Sequence, residues 1–512
     1  MLREDCRSLR GGVAAGQGTR QLVQTAFPLK RPKTLEDHYS NLRRGFNWLG
    51  SAAVIAKLTD FATMLAVLWF LTKDQVGVAS LVWSIAVVVE ATDGMGTGAA
   101  IVQSRSLSRL QLDSVFWYAM GTATVAGCLI WLAAPLIGEF YGIPGMALYF
   151  LAVAAKLLFT AGALVPLQLL NRELRYERIA VINVCATLGA ALTRLAIAVM
   201  GGGAWAIVGG YAVHGLYVLI GVQLASPFLP RLRFRPRAIS GLVHFGVPAA
   251  AADVLQQLFR NVDFLLIGWF YGPASLAVYR VAFDIPMEAA VAVGDLVNRT
   301  AMPVFAKVSA ARELVAQSFV WATGRIVALV GPLMAAFMLC AGWLTVLIHD
   351  ANGVSYAAAA WPLRILAAAA ILRAVFQLLR PLALGTGQPG MALRMWASAL
   401  VLLTAGVLGM GMIFDAERGI IAIAAVWLAI YPILFVWGGR FVARTCGLDL
   451  RELAKSVAPP AAATAAMVAA VLIIRDLVSW PDPRLQVALA FSALAVTYAG
   501  IFLYSRRPAF AG

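Results

Sequence analysis

Apolar residues run along this chain in long blocks of similar length, and polar residues gather in short breaks between them. A half-buried strand would alternate every second residue, and a surface helix would repeat every three or four. These blocks do neither. They are apolar on every side, and each is close to the ~20 residues that cross a bilayer as a helix. The pattern predicts helices over 46–71, 76–103, 114–137, 144–168, 178–200, 203–225, 241–270, 275–303, 317–348, 355–385, 391–414, 418–442, 456–475 and 485–505. The expected fold class is an all-α polytopic membrane protein with about 14 transmembrane helices.

The breaks alternate in character. One set carries Arg105 and Arg109; Arg172, Arg175 and Arg178; Arg231, Arg233, Arg235 and Arg237; Lys307 and Arg312; Arg380 and Arg394; Arg440, Arg444, Arg451 and Lys455; and the terminal Arg506 and Arg507. The other set holds only Lys73, Arg418, Arg475 and Arg484. Lys and Arg near span ends stay on the cytoplasmic side. An even number of spans with both termini in the cytoplasm fits every break.

Composition agrees. Of 512 residues, 61% are hydrophobic and 13% charged, with a net charge of +16 and a mean hydropathy of +0.81. A soluble domain is about a quarter charged. The positive balance reads as loops facing anionic headgroups. Nucleic acid is not an expected partner, because no basic soluble domain exists to bind it. Residues 1–44 are polar and basic and contain no short apolar core with a cleavage site, so the first span is expected to act as an uncleaved signal. Cys6, Cys128, Cys185, Cys340 and Cys446 form no CxxC, and four of the five read as small buried apolar residues. His38, His214, His244 and His349 show no ligand spacing. No metal or cofactor is expected. The glycines of GMGTG (94–98) lack the strand-turn-helix setting of a nucleotide loop and read as close helix packing. Asn298-Arg299-Thr300 matches a glycosylation pattern but falls at a predicted cytoplasmic helix end.

A weak internal repeat appears at an offset of 200. LAVLWFLTKDQVGV (65–78) lies over LLIGWFYGPASLAV (265–278), with Leu65/Leu265, Trp69/Trp269, Phe70/Phe270 and Val78/Val278 identical; Ile85/Ile285 and Gly94/Gly294 follow. The organisation this suggests is a tail (1–44), a six-helix half (45–225), a basic connector (226–240), a second six-helix half (241–442) and two additional helices with a short tail (443–512). Two such halves, related by a pseudo-two-fold axis along the membrane normal, would enclose a central cavity.

Charges inside the apolar blocks are the chemical signal. Arg280, Asp284, Glu288, Asp295 and Arg299 fall within an arc of about 100° on one helix. Facing lipid, each would cost roughly 2.5–3.5 kcal/mol, so the stripe is expected to face water or other polar helices. The seventh span adds Asp253, Arg260 and Asp263, the first adds Lys57 and Asp60, and the second adds Glu90 and Asp93. Lys156, Arg194, Arg325, Arg364 and Arg373 lie within or near other spans. Pairing that merely holds helices together is the simpler reading, favoured most for Lys156, Arg325 and Arg364. A solvated cavity is favoured for Lys57, Asp60, Arg260, Arg280, Asp284 and Glu288.

Several stretches resemble Wzx-type polysaccharide flippases of the MOP superfamily, near their WzxC-like branch. They are AAIVQSRSL (99–107), LLNRELRYERIA (169–180) and HFGVPAAAADVLQQLFRNVDFLLIGWFYGPASLAVY (244–279), the last with Phe-Gly-x-Pro, Asn-x-Asp at 261–263 and Gly-Pro at 272–273. Ala277 departs from the family's usual Gly. The resemblance implies a flippase, not an enzyme, that moves undecaprenyl-diphosphate-linked oligosaccharide units by alternating access. Lys57, Arg260 and Arg280 would then contact the diphosphate. Asp60, Glu90, Asp93, Asp263, Asp284, Glu288 and Asp295 would be cavity acids or carry a coupling ion. Pro248 and Pro286 would bend spans seven and eight. Partners would be the lipid-linked oligosaccharide, membrane lipids, and a polysaccharide polymerase with its export machinery. Two other readings are a cation-coupled multidrug exporter of the same superfamily and a polysaccharide polymerase or glycosyltransferase. The second is disfavoured because every predicted outside break is short and holds no acid/base pair.

Overall fold

A computed structural model describes residues 35–104, 106–308, 312–379, 382–383, 389–447, 450–477 and 483–505. The helices are α1 (Leu35–Leu68), α2 (Lys73–Glu90), α3 (Thr97–Gln103), α4 (Arg109–Tyr141), α5 (Met146–Arg172), α6 (Tyr176–Val199), α7 (Trp205–Ala225), α8 (Pro236–Val308), α9 (Arg312–Leu347), α10 (Ala360–Phe376), α11 (Pro389–Ile413), α12 (Ala416–Cys446), α13 (Leu450–Leu477) and α14 (Pro483–Ser505). Among the described residues, eleven stretches are long and apolar enough to cross a membrane. One of them, 246–292, is 47 residues long and holds parts of two predicted helices. α1 and α14 are helical where the sequence predicts spans but are not among the eleven.

Helix α4 shows how these elements form. Ser108 and Gln111 make a capping box at its start, and Gly142 takes a left-handed conformation (φ 67°) at its end. Val125, Leu129, Leu132, Leu136 and Phe140 are exposed at spacings of three and four. That stripe suits acyl chains, which are as apolar as leucine. The opposite face is small: Ala119, Ala123, Gly127, Ala134 and Gly138 are buried. It packs on α5, where a Cβ on Gly127 would lie 3.0 Å from the Ala154 methyl. Small residues allow such close approach in lipid, where packing replaces the hydrophobic effect between helices. The same logic corrects the cysteines. Cys340 is buried, but Cys128 and Cys185 are exposed, because a bilayer protein can turn apolar side chains outward.

Helices α4–α5, α5–α7, α6–α7 and α1–α6 pack on one another, and α8–α12 form a second group through α8–α10, α8–α11, α10–α12 and α11–α12. Helix α2 packs chiefly on α8, and α13 and α14 lie on α9. One break departs from the predicted helices, and a second falls between two of them. The predicted span 76–103 is interrupted where Gly94, Met95 and Gly96 are all left-handed (φ 58°, 46° and 74°). In α8 the non-helical residue is Gly272 (φ 78°, ψ 178°), ahead of Pro273 and between the predicted helices 241–270 and 275–303. Extended ψ is what a following proline demands, and glycine alone takes this φ at no steric cost. The chain reverses there: Tyr279 meets Asp263, and Glu288 lies near Arg260. α8 is therefore a hairpin of two antiparallel limbs, 236–271 and 273–308. The repeat residues Trp69-Phe70 and Trp269-Phe270 both sit at the end of the first helix of their group, and Trp69, Phe70 and Trp269 are exposed. Such a place suits an aromatic belt at a membrane interface.

Main-chain surfaces bring α2 against α8 at two levels. A Cβ on Gly246 would come within 2.6 Å of the Gly96 carbonyl carbon and the Met95 oxygen, and Gly96 has equally little room against Gly246. At the other end of α2, Gly77 has no room for a Cβ against Pro273. Near that end, the Ala351 amide donates to the Leu71 oxygen (3.1 Å) and Lys73 Nζ donates to the Ser355 oxygen (2.8 Å). The GMGTG glycines thus do serve close packing: Gly96 meets Gly246 of the Phe-Gly-x-Pro stretch, and Gly94 and Gly98 face Leu164 and Gln168 of α5.

Candidate functional site

Of the predicted stripe on the second limb of α8, Arg280 and Glu288 meet side chains of other helices, and Asp284 pairs with Arg280. Glu288 accepts a hydrogen bond from Lys57 of α1 and lies 3.8 Å from Arg260 of the first limb. The three side chains remain 46%, 34% and 25% accessible for Lys57, Arg260 and Glu288. This ion triad links α1 to both limbs of α8. One helical turn away, Arg280 Nε donates to Asp284 Oδ2 at 2.7 Å. The Arg280 guanidinium lies between rings, 4.0 Å from the centroid of Trp83 on α2 and 4.4 Å from that of Phe264. Its Nη1 is buried without a hydrogen-bond partner. Among the described side chains, three cations (Lys57, Arg260 and Arg280) and two carboxylates (Asp284 and Glu288) meet here.

A second group lies among α1, α2, α5, α6 and α7. Lys156 Nζ donates to Glu90 Oε2 at 2.6 Å, and Tyr211 donates its hydroxyl proton to the same oxygen. Lys156 also sits 3.4 Å from the Tyr211 ring centroid. Arg194 pairs with Asp60 at 3.4 Å. Asp93 Oδ1 is buried without a partner. Lys57 and Asp60, one turn apart, therefore join different groups. Lys156 pairs between helices, as the simpler reading expects.

The structure corrects Asp263. It is not a cavity acid but fully enclosed, accepting hydrogen bonds from the Tyr279 hydroxyl (2.8 Å) and Trp427 Nε1 (2.9 Å) at Oδ2 and from the Phe264 amide (3.0 Å) at Oδ1. These donors replace water around the carboxylate, which is why it is tolerated there. Buried Arg373 lies over the Phe283 and Trp427 rings instead of meeting an acid directly. Asp263→Ala is expected to lower Tm in detergent, since each orphaned donor costs about 1–3 kcal/mol; Asp263→Asn should cost less. An unchanged Tm in the alanine variant would show the enclosed acid to be dispensable for packing. Asp253 is exposed, and the side chains of Asp295 and Arg299 lie outside the described residues.

Sequence reasoning missed Trp83, Phe264, Tyr211 and Trp427. Charges stand out in an apolar block, but neutral donors and rings do not. Among the described residues, no group of three His, Cys, Asp or Glu side chains is placed to hold a metal ion.

A sequence family described as "Polysaccharide biosynthesis protein" matches residues 67–357, more than half of the chain. The chain belongs to the polysaccharide biosynthesis protein family. This family member is 24% identical over 383 residues to the "Teichuronic acid biosynthesis protein TuaB" of Bacillus subtilis (strain 168), covering 73% of this chain and 76% of that one. It is 22% identical over 384 residues to the "Succinoglycan biosynthesis transport protein ExoT" of Rhizobium meliloti (strain 1021), covering 75% and 76%. It is 22% identical over 271 residues to the "Lipopolysaccharide biosynthesis protein WzxC" of Escherichia coli (strain K12), covering 52% and 54%. Among solved structures, its fold is similar to "Lipid II flippase MurJ, inward closed conformation", with a TM-score of 0.69 at 11% identity over 89% of this chain and 99% of that one. It is also similar to an inward-facing multidrug resistance MATE family transporter of the MOP superfamily, with a TM-score of 0.60 at 15% identity over 76% and 95%. This polysaccharide biosynthesis family member thus shares its fold with those two structures.

Proposed function

We propose that the protein translocates diphosphate-linked oligosaccharide units on a polyprenol carrier across the bacterial inner membrane, by alternating access between residues 45–225 and 241–442. In this reading it crosses the membrane fourteen times with both termini in the cytoplasm. The observation that carries the proposal is the Lys57–Glu288–Arg260 triad. It lies inside apolar helices, stays accessible, and joins α1 to α8. A triad of this kind suits an anionic cargo. Lys57, Arg260 and Arg280 would replace the diphosphate's hydration as it passes the apolar layer, with Arg supplying paired donors. Glu288 and Asp284 would hold those cations when no cargo is present. The polyprenyl tail would stay in the bilayer.

The test is a strain lacking the gene. Lipid-linked oligosaccharide should accumulate on the inner leaflet, and the native chain should restore polymer export. Arg260→Ala and Arg280→Ala, at matched protein levels, should each cut export by ten-fold or more. Full export in both variants would remove the cations from the cargo site. Accumulation on the outer leaflet would point to a polymerase. Restored efflux of organic cations with unchanged polymer would favour the multidrug reading.

A further inference from the structure

The segment between α7 and α8, residues 226–235, is not a slack linker. Phe228 is buried under the Arg109 guanidinium, whose carbon lies 4.3 Å from its ring centroid. The Gln223 side chain closes on the Phe228 main chain through two hydrogen bonds, at 2.9 and 3.2 Å. Trp117 Nε1 donates to the Arg231 oxygen (2.9 Å). The Arg231 and Arg235 amides donate to Asp113 Oδ1 (3.3 Å) and Ser114 Oγ (3.1 Å). Arg109 donates to the Leu229 oxygen. The main chain is thus fastened along the first turns of α4, and Pro227, Pro230 and Pro236 stiffen it.

Its side chains point away from the body. Arg231, Arg233, Arg235 and Arg237 are all exposed, and among the described residues none of the four has an ion-pair partner. Between them stand Leu232 and Phe234, and Leu229 comes just before. Leu232, at the apex of a tight turn closed by the Arg233 amide on the Arg231 oxygen (2.7 Å), is 89% exposed. Alternation along this strap therefore places guanidinium groups and large apolar groups side by side at the end of two membrane helices. Trp117, whose indole meets the strap, suits the same interfacial depth.

We propose that this strap is a docking site for anionic phospholipid headgroups, with Leu232 and Phe234 entering the acyl boundary beneath them. Charge complementarity argues for the lipid. Four unneutralised guanidinium groups at membrane level match phosphodiesters, and the adjacent Leu and Phe have no reason to face an aqueous acidic partner. In the orientation proposed above the lipid belongs to the cytoplasmic leaflet. The inference rests on the membrane-spanning fold and not on the identity of the cargo. Occupancy would hold the strap, and α4 with it, against the bilayer while α8 moves.

The test is native mass spectrometry of the purified full chain with added phosphatidylglycerol or phosphatidylcholine. The native chain should retain phosphatidylglycerol preferentially. Changing Arg231, Arg233, Arg235 and Arg237 together to Gln should cut that retention by about ten-fold or more. Tm should hold, because the strap is fastened mainly through its main chain. Leu232→Ser with Phe234→Ser should weaken retention of the lipid with all four arginines in place. If the quadruple variant does not fold, the single changes Arg233→Gln and Leu232→Ser read the same quantity. Retention of phosphatidylglycerol undiminished by these changes would overturn the proposal. So would binding of polyglutamate at physiological salt by a native chain that does not retain the lipid.

Discussion

Gly96→Val is expected to cut polymer export by more than ten-fold while the protein remains in the membrane. Gly96 sits with φ 74° at the start of α3, and its α-carbon faces the main chain of Gly246. A side chain there meets two penalties. An L-residue in the left-handed region costs roughly 1–2 kcal/mol, and forcing atoms into a close-packed contact costs typically 1–3 kcal/mol. The neighbour is main chain, so it cannot rotate aside. The valine would instead push α2 away from the first limb of α8 at that end. Gly98→Ala is the control. Its φ is ordinary, and the new methyl would lie 3.2 Å from the end of the flexible Gln168 side chain, so export should stay within about two-fold on a cost well under 1 kcal/mol. Gly246→Val should behave like Gly96→Val. Normal export in both valine variants would show that the contact does not have to close during transport.

Arg280→Ala carries the second large effect, and two readouts separate its causes. Breaking a fully buried ion pair leaves a charge uncompensated at a cost near 3–5 kcal/mol. The Asp284 side chain is 23% accessible, so a loss of about 2 kcal/mol is the better expectation after solvent screening. Contact with Trp83 and Phe264 adds a further ~0.5–2 kcal/mol. Tm in detergent should fall accordingly. Arg280→Lys keeps the charge but loses the planar fork between the rings, and should fall less. The double change Arg280→Ala with Asp284→Ala removes the orphaned acid and should recover most of the Tm. Export should not recover, because the proposed contact with the diphosphate is still missing. Recovery of both would assign Arg280 to packing alone.

Much of the fold is readable from the residues because lipid imposes a simple rule: every spanning segment satisfies its own main chain as a helix. The apolar blocks therefore mark the helices directly. The reversal at Gly272 falls between two predicted helices, where proline constrains the residue before it. The break at 94–96 lies inside one predicted helix and is not legible from its apolar pattern. The charges also divide. Spacing shows that Arg280 can reach Asp284 on its own helix, and it does. Spacing cannot show that Lys57 reaches Glu288 across 231 positions, or that Asp263 is closed in by Trp427. Those pairings depend on which helices become neighbours, and apolar blocks of similar composition carry little information about that choice.

The glycine contacts at Gly77, near the start of α2, and at Gly96, in the break between α2 and α3, have a mechanical consequence. Helices that interlock ridge into groove are held in register by their side chains. At Gly77 and at Gly96 there are no such teeth, only smooth peptide surfaces laid together. Either seam can part without any rotamer being unthreaded, and it can reseal without a search for one. At these two points the approach to α8 is main chain against main chain, in contrast to the side-chain contact of Trp83 with Arg280 between them.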